Sequence, residues 1–167
     1  MSAQETSKLK ELKFIVNGQP YEIFVKPKTL LVDVLRKELG LTATKRGCES
    51  SACGACTVVL NGMAVKSCSI LALQANGAEV QTLESLAKDG KLHPLQRAFL
   101  DYGAYQCGFC TSGMLNSLRA LLNENPQPTE QEIKEAIDGN ICRCTGYNAI
   151  IRAVTAVANG QYKEKAK

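Results

Sequence analysis

Apolar residues in the first half of the chain fall into short runs that are interrupted by Asn-Gly pairs. These pairs lie at positions 17–18, 61–62 and 76–77. Apolar-rich runs flank the first two pairs, over 12–25 and 57–66. Because Asn-Gly suits the backbone of a two-residue turn, this pattern predicts two β-hairpins. The third pair predicts a last strand pair that ends at Val80.

Between the two hairpins the apolar residues change to a helical spacing. The residues of this apolar face are Leu31, Val34, Leu35 and Leu39. Thr29 stands where it can cap the N-terminus of the helix, and Gly40 stands where a glycine ends it. Residues 10–84 are therefore predicted to form a small mixed sheet with one helix across it.

The second half of the chain, residues 85–160, has the pattern of helices alone. Four helices are predicted, over about 94–102, 111–123, 129–139 and 148–158. Pro94 suits a first helical turn, and Thr129 followed by Glu132 forms a capping box. The simplest arrangement is an all-α four-helix bundle, so the chain as a whole is predicted to be α+β. The polar segment 161–167 is expected to be a solvated tail.

Composition adds one unusual feature, a high cysteine count beside a low histidine count. Of 167 residues, 45 % are hydrophobic and 22 % charged, as in soluble globular proteins, and the net charge of +4 gives no reason to expect nucleic acid. Eight cysteines accompany a single histidine. One histidine excludes a Rieske centre and any zinc site with two histidines. Disulfides, all-cysteine zinc and iron–sulfur clusters remain.

The N-terminal sequence bears on the compartment, and so on the state of the thiols. The stretch MSAQETSKLKELKF lacks the apolar segment of a secretory signal. No apolar run approaches the ~20 residues that span a bilayer. We therefore expect a cytoplasmic chain without a membrane span, in which reduced thiols favour metal binding over disulfides.

Four cysteines in the first half have the spacing C-x4-C-x2-C-x11-C. They are Cys48, Cys53, Cys56 and Cys68. Three lie in one loop, and the second predicted hairpin returns the fourth to it. This order is that of plant-type 2Fe–2S ferredoxins, and the small residues between the ligands let the backbone approach a cluster. Zinc, which prefers separate pairs of cysteines, is the alternative.

The other four cysteines form a C-x2-C pair and a C-x-C pair, 31 residues apart. They are Cys107, Cys110, Cys142 and Cys144. Each pair stands just before a predicted helix, where the dipole and free N–H groups favour thiolates. Two helix starts that face each other can close a four-thiolate site. A thioredoxin-like C-x2-C and a zinc site are the alternatives, and no C-x2-C-x2-C run supports a 4Fe–4S cluster.

Three segments carry a resemblance to a known family. They are GCESSACGACTV (47–58), YQCGFCTSGM (105–114) and GNICRCTGY (139–147). In this order they resemble the three signatures of the iron–sulfur component of the xanthine oxidase family, the molybdenum hydroxylases. The similarity covers nearly the whole chain, about 13–159, and the length resembles the separate small subunit of a three-subunit enzyme.

The resemblance implies a fold, cofactors and partners. Residues 10–84 would be a β-grasp ferredoxin-like domain whose four cysteines hold a 2Fe–2S cluster near the FAD of a medium subunit. Residues 85–160 would hold a second 2Fe–2S cluster, near the molybdopterin of a large subunit. Gln106 would contact the molybdopterin and Cys144 would lie beside it. The chain would relay electrons between molybdopterin and FAD in a heterotrimer, with a dimer of heterotrimers open as a higher state.

The sequence shows no catalytic machinery belonging to this chain. It contains no Ser–His–Asp set, no paired-carboxylate site, no P-loop and no G-x-G-x-x-G. Other classes that the cysteines allow are a free-standing ferredoxin-like carrier and a zinc-bound interaction module. Three tyrosines near the second cysteine set favour packing over electron relay: Tyr102, Tyr105 and Tyr147.

Metal analysis tests the assignment of the cysteines. If each set holds a 2Fe–2S cluster, the purified chain contains about four iron atoms and about four acid-labile sulfides. A finding of one zinc in each half and no sulfide would contradict it.

Overall fold

A five-stranded mixed sheet forms the first half of the chain in the computed structural model, which describes residues 9–162. The strands are β1 (Lys10–Val16), β2 (Gln19–Val25), β3 (Thr57–Leu60), β4 (Met63–Lys66) and β5 (Glu79–Gln81). Their order is β2-β1-β5-β3-β4; β1 and β5 run parallel, and every other neighbouring pair is antiparallel. The tail predicted for 161–167 lies outside the described residues from position 163 onward.

The two predicted hairpins form around the Asn-Gly pairs. Asn17 and Gly18 both have left-handed backbone, with φ of 54° and 79°, and they connect β1 to β2. Asn61 and Gly62, with φ of 48° and 86°, connect β3 to β4 in the same way. The local turn chemistry therefore sets the register of both antiparallel pairs.

The strand pair expected around 76–77 is wrong, because a single strand follows this turn. The preceding residues Ala72–Ala75 form a 3-10 helix. Asn76 Oδ1 accepts the N–H of Lys13 at 2.9 Å, and Gly77 donates its N–H to the carbonyl of Lys13 at 2.6 Å. The Asn-Gly pair thus docks the chain onto β1, and β5 continues parallel to that strand.

The helix expected after Thr29 forms with a different start and pitch. Helix α1 spans Leu31–Asp33 and continues as a π-helix over Val34–Glu38. The predicted Thr29 cap is wrong: no side chain caps the first turn, and the carbonyl of Thr29 accepts the N–H of Ala72 at 2.8 Å. Gly40 follows the helix with a φ of 69°, as expected of a glycine that ends one.

The apolar face of α1 packs on one face of the sheet and forms the core of the first half. Its fully or almost fully buried members include Leu12, Phe14, Val16, Leu31, Val34, Leu35, Val58 and Val80. This core fixes the helix relative to β3. The loop that connects these two elements carries Cys48, Cys53 and Cys56.

Four α-helices follow in the second half, close to the predicted positions. They are α2 (Pro94–Asp101), α3 (Thr111–Glu124), α4 (Glu130–Asp138) and α5 (Asn148–Ala158). The capping box is present: Thr129 Oγ1 accepts the N–H of Glu132 at 3.2 Å, and the carboxylate of Glu132 accepts the N–H of Thr129 at 2.7 Å. Their apolar faces meet in a second core around Leu95, Leu118, Ile133 and Ile150.

Helix α3 belongs to both halves of the molecule. Met114 and Leu118 are buried in the helical core, whereas Asn116 on another face donates its Nδ2–H to the carbonyl of Thr57 at 2.8 Å. The two halves therefore meet where α3 packs against β3.

None of the helices within residues 9–162 has the length and apolarity required to cross a bilayer. The longest, α3, has 14 residues, whereas a span takes ~20.

Candidate metal centres

Cys56 and Cys68 form the buried part of the first cysteine set. Cys56 immediately precedes β3, and Cys68 lies in the 3-10 turn Ser67–Ser69 after β4. Ser67 donates its N–H and its hydroxyl to the carbonyl of Cys56, at 3.3 and 2.7 Å. The hairpin pairing thus brings the two thiols together, as the sequence predicted. Burial raises the pKa of the Cys56 thiol to about 11.

Cys48 and Cys53 form the outer part of the same set, in the loop that precedes β3. The backbone of this loop enters the left-handed region at Glu49, Ser51 and Gly54, with φ of 56°, 61° and 70°. The turns direct the N–H groups of Ser50 and Cys53 at Cys48 Sγ, at 3.5 and 3.3 Å. Hydrogen bonds from Ser50 and Cys53 lower the pKa of Cys48 to about 6, so this thiol readily becomes a thiolate.

Two arginines anchor this loop, and sequence reasoning missed both. Arg46 pairs with Asp33 of α1 and, at 3.0 Å, with Glu49 inside the loop. Arg36 donates to the carbonyl of Thr44 at 2.7 Å. The sequence spacing of these arginines does not predict their partners, because the conformation of the folded loop determines which groups they reach.

The second set also divides into inner and outer thiols. Cys110 and Cys142 are half-buried, whereas Cys107 and Cys144 are exposed and their sulfurs lie 3.6 Å apart. Burial raises the pKa of Cys110 to about 12. Burial acts in the same direction on Cys142, but the hydroxyl and N–H of Thr145, at 3.2 and 3.5 Å from its sulfur, hold the pKa of Cys142 below its usual value.

Both cysteine pairs stand just before a helix that begins where the sequence predicted, α3 at Thr111 and α5 at Asn148, but at different distances from the helix start. Cys110 directly precedes α3. Three residues, 145–147, separate Cys144 from α5, and Tyr147 has a left-handed φ of 66°. The second pair is therefore held by loop contacts and not by the N-terminus of a helix.

Gln106 joins the two segments of the second set. Its Nε2–H donates to the carbonyl of Cys144 at 3.0 Å, while the side chain stays exposed. The residue thus supports the outer edge of the site, and its contact with a molybdopterin stays a prediction.

The two sites are adjacent through a backbone hydrogen bond. Ile141 donates its N–H to the carbonyl of Cys53 at 2.9 Å. Ile141 directly precedes Cys142, so one hydrogen bond and one intervening residue separate a cysteine of each set. A ring carbon of Phe109 also lies 3.3 Å from where a Cβ on Gly47 would stand, so the two motifs are in contact.

Asn140 occupies the centre of the interface between the halves and is only 3 % exposed. Its Nδ2 donates to the carbonyl of Gly54 at 2.9 Å and lies 3.3 Å from Thr57 Oγ1. Its Oδ1 accepts the hydroxyl of Ser117 at 2.8 Å. Each polar atom of the amide is thus satisfied, which a buried amide requires. Its partners lie on remote segments, and sequence reasoning missed it.

Two glycines allow this close approach. A methyl group on Gly113 of α3 would overlap the carbonyl oxygen of Gly54, and one on Gly54 would lie 2.6 Å from Asn140 Nδ2. The interface therefore depends on backbones that touch without intervening side chains.

The residues of both sets fit the clusters that their spacing predicts. All eight thiols are free, and N–H groups reach the sulfurs of Cys48 and Cys142. Such donors stabilise thiolate ligands. Among residues 9–162 no three His, Cys, Asp or Glu side chains converge on the position of a single ion. Each iron of a two-iron cluster takes two of the thiolates, so the four need not meet at one point.

Comparison with protein families places a cluster domain on each half. A family model described as a 2Fe-2S iron-sulfur cluster binding domain matches residues 14–89. A second, described as a 2Fe-2S binding domain, matches residues 82–155.

Curated relatives extend the similarity to whole subunits. Subunit beta of the 6-hydroxypseudooxynicotine dehydrogenase complex of Paenarthrobacter nicotinovorans is 51 % identical, over 83 % of this chain and 87 % of its own. The nicotinate dehydrogenase small FeS subunit of Eubacterium barkeri is 50 % identical, over 83 % and 88 % of the two chains.

Solved structures share the fold at similar identity. A chain of quinoline 2-oxidoreductase from Pseudomonas putida matches with a TM-score of 0.88 and 44 % identity, over 96 % of this chain and all of that one. Aldehyde oxidoreductase from Desulfovibrio desulfuricans matches equally well over 94 % of this chain, which corresponds to 18 % of that longer polypeptide.

Substitution of Gly113 tests the contact between the halves. Gly113→Ala should lower the free energy of unfolding by about 1–3 kcal/mol, because the added methyl group forces α3 away from Gly54. This loss is expected although alanine favours a helix interior over glycine by about 1 kcal/mol. Urea denaturation of the cluster-loaded chain measures it.

Gly139→Ala is the matched control, since its methyl group would meet only the flexible end of Lys66, at 3.3 Å. A Gly113→Ala chain that is as stable as the control or more stable would show that the backbones do not touch.

Proposed function

The chain belongs to the small iron–sulfur subunits of the xanthine oxidase family of molybdenum hydroxylases, and from this premise we propose how its two halves divide the work of electron transfer. Residues 10–84 act as a β-grasp ferredoxin-like domain and residues 85–160 as a four-helix bundle. Members of this family are subunits of oxidoreductase complexes, and this chain is an electron-transfer component of such a complex.

Each half supplies four thiolates to one 2Fe–2S cluster. The first site consists of Cys48, Cys53, Cys56 and Cys68, and the second of Cys107, Cys110, Cys142 and Cys144. When bound, such a cluster supplies one-electron redox chemistry. The protein orients the thiols, directs N–H groups at the sulfurs and excludes water from the inner ones.

The exposed outer edge of the second site is assigned to the large, molybdopterin-binding subunit. Tyr105 and Phe109 are 42 % and 47 % exposed beside the exposed thiols of Cys107 and Cys144. Apolar side chains at such a rim support a partner that excludes water from the site. Gln106 on this edge would contact the molybdopterin with the part of its amide that Cys144 does not use.

The exposed edge of the first site is assigned to the medium, FAD-binding subunit. Its thiol Cys48 is exposed, as are residues 49 and 50 of the loop around it. With this assignment electrons travel between molybdopterin and FAD by way of the second site and then the first. The adjacency of the two sites through Ile141 and Cys53 is the observation that supports electron passage between them, and the order follows from the resemblance to the family.

Substrate chemistry is assigned to the large partner. His93, the only histidine of the chain, accepts the N–H of Leu95 at 3.2 Å and so caps α2. It therefore serves the fold, and its pKa is lowered by burial and by the nearby charges of Arg119 and Lys88.

We place the complex in the cytoplasm, where the eight thiols of this chain stay reduced until they bind iron. The heterotrimer can pair into a dimer of heterotrimers.

Loss of a ligand in the second site tests the order of the relay. In the assembled complex, Cys107→Ser or Cys144→Ser should abolish reduction of FAD by substrate, because the second site is the entry point from molybdenum. Stopped-flow absorbance of the flavin under anaerobic conditions measures this step.

Direct reduction of the flavin by dithionite is the control, and it should be unchanged in both variants. FAD that substrate still reduces at the normal rate would refute the order. A chain that purifies alone from its native source, without molybdenum or flavin, would instead support a free-standing carrier.

A further inference from the structure

Tyr147 lies in the loop that carries the second pair of cysteines, Cys142 and Cys144. Its backbone has a φ of 66°, a conformation that bulky residues rarely adopt. The Tyr147 ring packs against the helical core. The strained backbone conformation and the packed ring together direct the phenol at the peptide groups on either side of Ile141.

The phenol makes two hydrogen bonds, one in each sense. It accepts the N–H of Cys142 at 2.7 Å and donates to the carbonyl of Asn140 at 3.0 Å. The Asn140 carbonyl belongs to the same peptide unit as the Ile141 N–H, which donates to the carbonyl of Cys53 at 2.9 Å. A continuous chain of hydrogen bonds thus runs from a cysteine of the second set to a cysteine of the first.

Hydrogen bonds in such a chain strengthen one another. A donor on the carbonyl side of a peptide polarises its N–H and makes it a better donor in turn. The Tyr147 hydroxyl therefore acts on the bond between Ile141 and Cys53 without touching either residue's side chain.

We propose that the Tyr147 hydroxyl is the positioning group that controls the hydrogen bond between the two cysteine sites, and with it the rate at which they exchange electrons. This inference rests on the proposed function, in which electrons pass between the sites. Tyr147 is a positioning residue and not an electron relay, because its hydroxyl already accepts one backbone hydrogen bond and donates another.

Tyr147→Phe removes the hydroxyl and keeps the ring. In the full chain with both clusters, the Ile141 and Cys142 amides should exchange with deuterium about fivefold to tenfold faster, as for the loss of one or two neutral hydrogen bonds. Electron exchange between the sites, followed after rapid partial reduction, should slow several-fold. Iron and sulfide contents should match those of the unmodified chain.

Tyr162→Phe is the matched control. This tyrosine also packs against the helical core, but within residues 9–162 its hydroxyl donates to the Asp101 carboxylate of α2 at 2.9 Å and to no residue of the cysteine loops. Its removal should change neither amide exchange nor electron exchange. A Tyr147→Phe chain that behaves like this control overturns the proposal, and so does faster amide exchange with an unchanged electron rate.

The unmodified chain provides a second test, which holds if Tyr147→Phe fails to assemble. Because the hydroxyl joins the peptides on both sides of Ile141, the Ile141 and Cys142 amides should open as one unit and show the same protection factor once each rate is corrected for its intrinsic exchange rate. Independent exchange of the two amides would overturn the proposal. Failure of the proposed function itself would be recognised separately, by an unmodified chain without iron or electron uptake.

Discussion

The contact between the Gly54 backbone and α3 is the constraint on which the rest of the structure depends. No side chain fits between Gly113 and the carbonyl of Gly54, and the buried Asn140 amide donates to the same oxygen. This oxygen belongs to the residue after Cys53, so the packing of the two halves also fixes the first cysteine loop. The Ile141 bond then places the second site beside the first. The fold and the proposed electron path thus use the same few backbone atoms.

The two sites distribute inner and outer thiols in the same way, although their backbones differ. In each, the less exposed thiols lie toward the protein, and the outer part includes exposed thiols, Cys48 in the first site and Cys107 and Cys144 in the second. The inner thiols of Cys56 and Cys110 have raised pKa values, so they lose their protons readily only with a metal bound. Metal binding at these thiols, as proposed, would therefore contribute to folding, which small domains need. The outer thiols remain close to the surfaces where partners are proposed to bind.

Local chemistry could be predicted from the sequence, and contacts between remote segments could not. The hairpins at 17–18 and 61–62 and the Thr129 capping box depend on residues within three positions of one another. The third Asn-Gly pair failed as a hairpin because its partner, Lys13, is 63 positions away. Asn140 likewise donates to Gly54 across 86 positions, so no local sequence pattern predicts this hydrogen bond. The division of the cysteines into two sets could be proposed from the sequence because their spacing within each loop matches the ligand pattern of a cluster, and their role as ligands stays a prediction.

The electron paramagnetic resonance spectrum of the fully reduced chain shows directly whether two clusters lie next to each other in it. Two adjacent clusters should give signals from about two reduced centres per chain, each broadened or split at low temperature by the other, because one hydrogen bond and one intervening residue separate Cys53 from Cys142. A single signal, or two signals without mutual interaction, would contradict the claim that this chain holds two adjacent clusters.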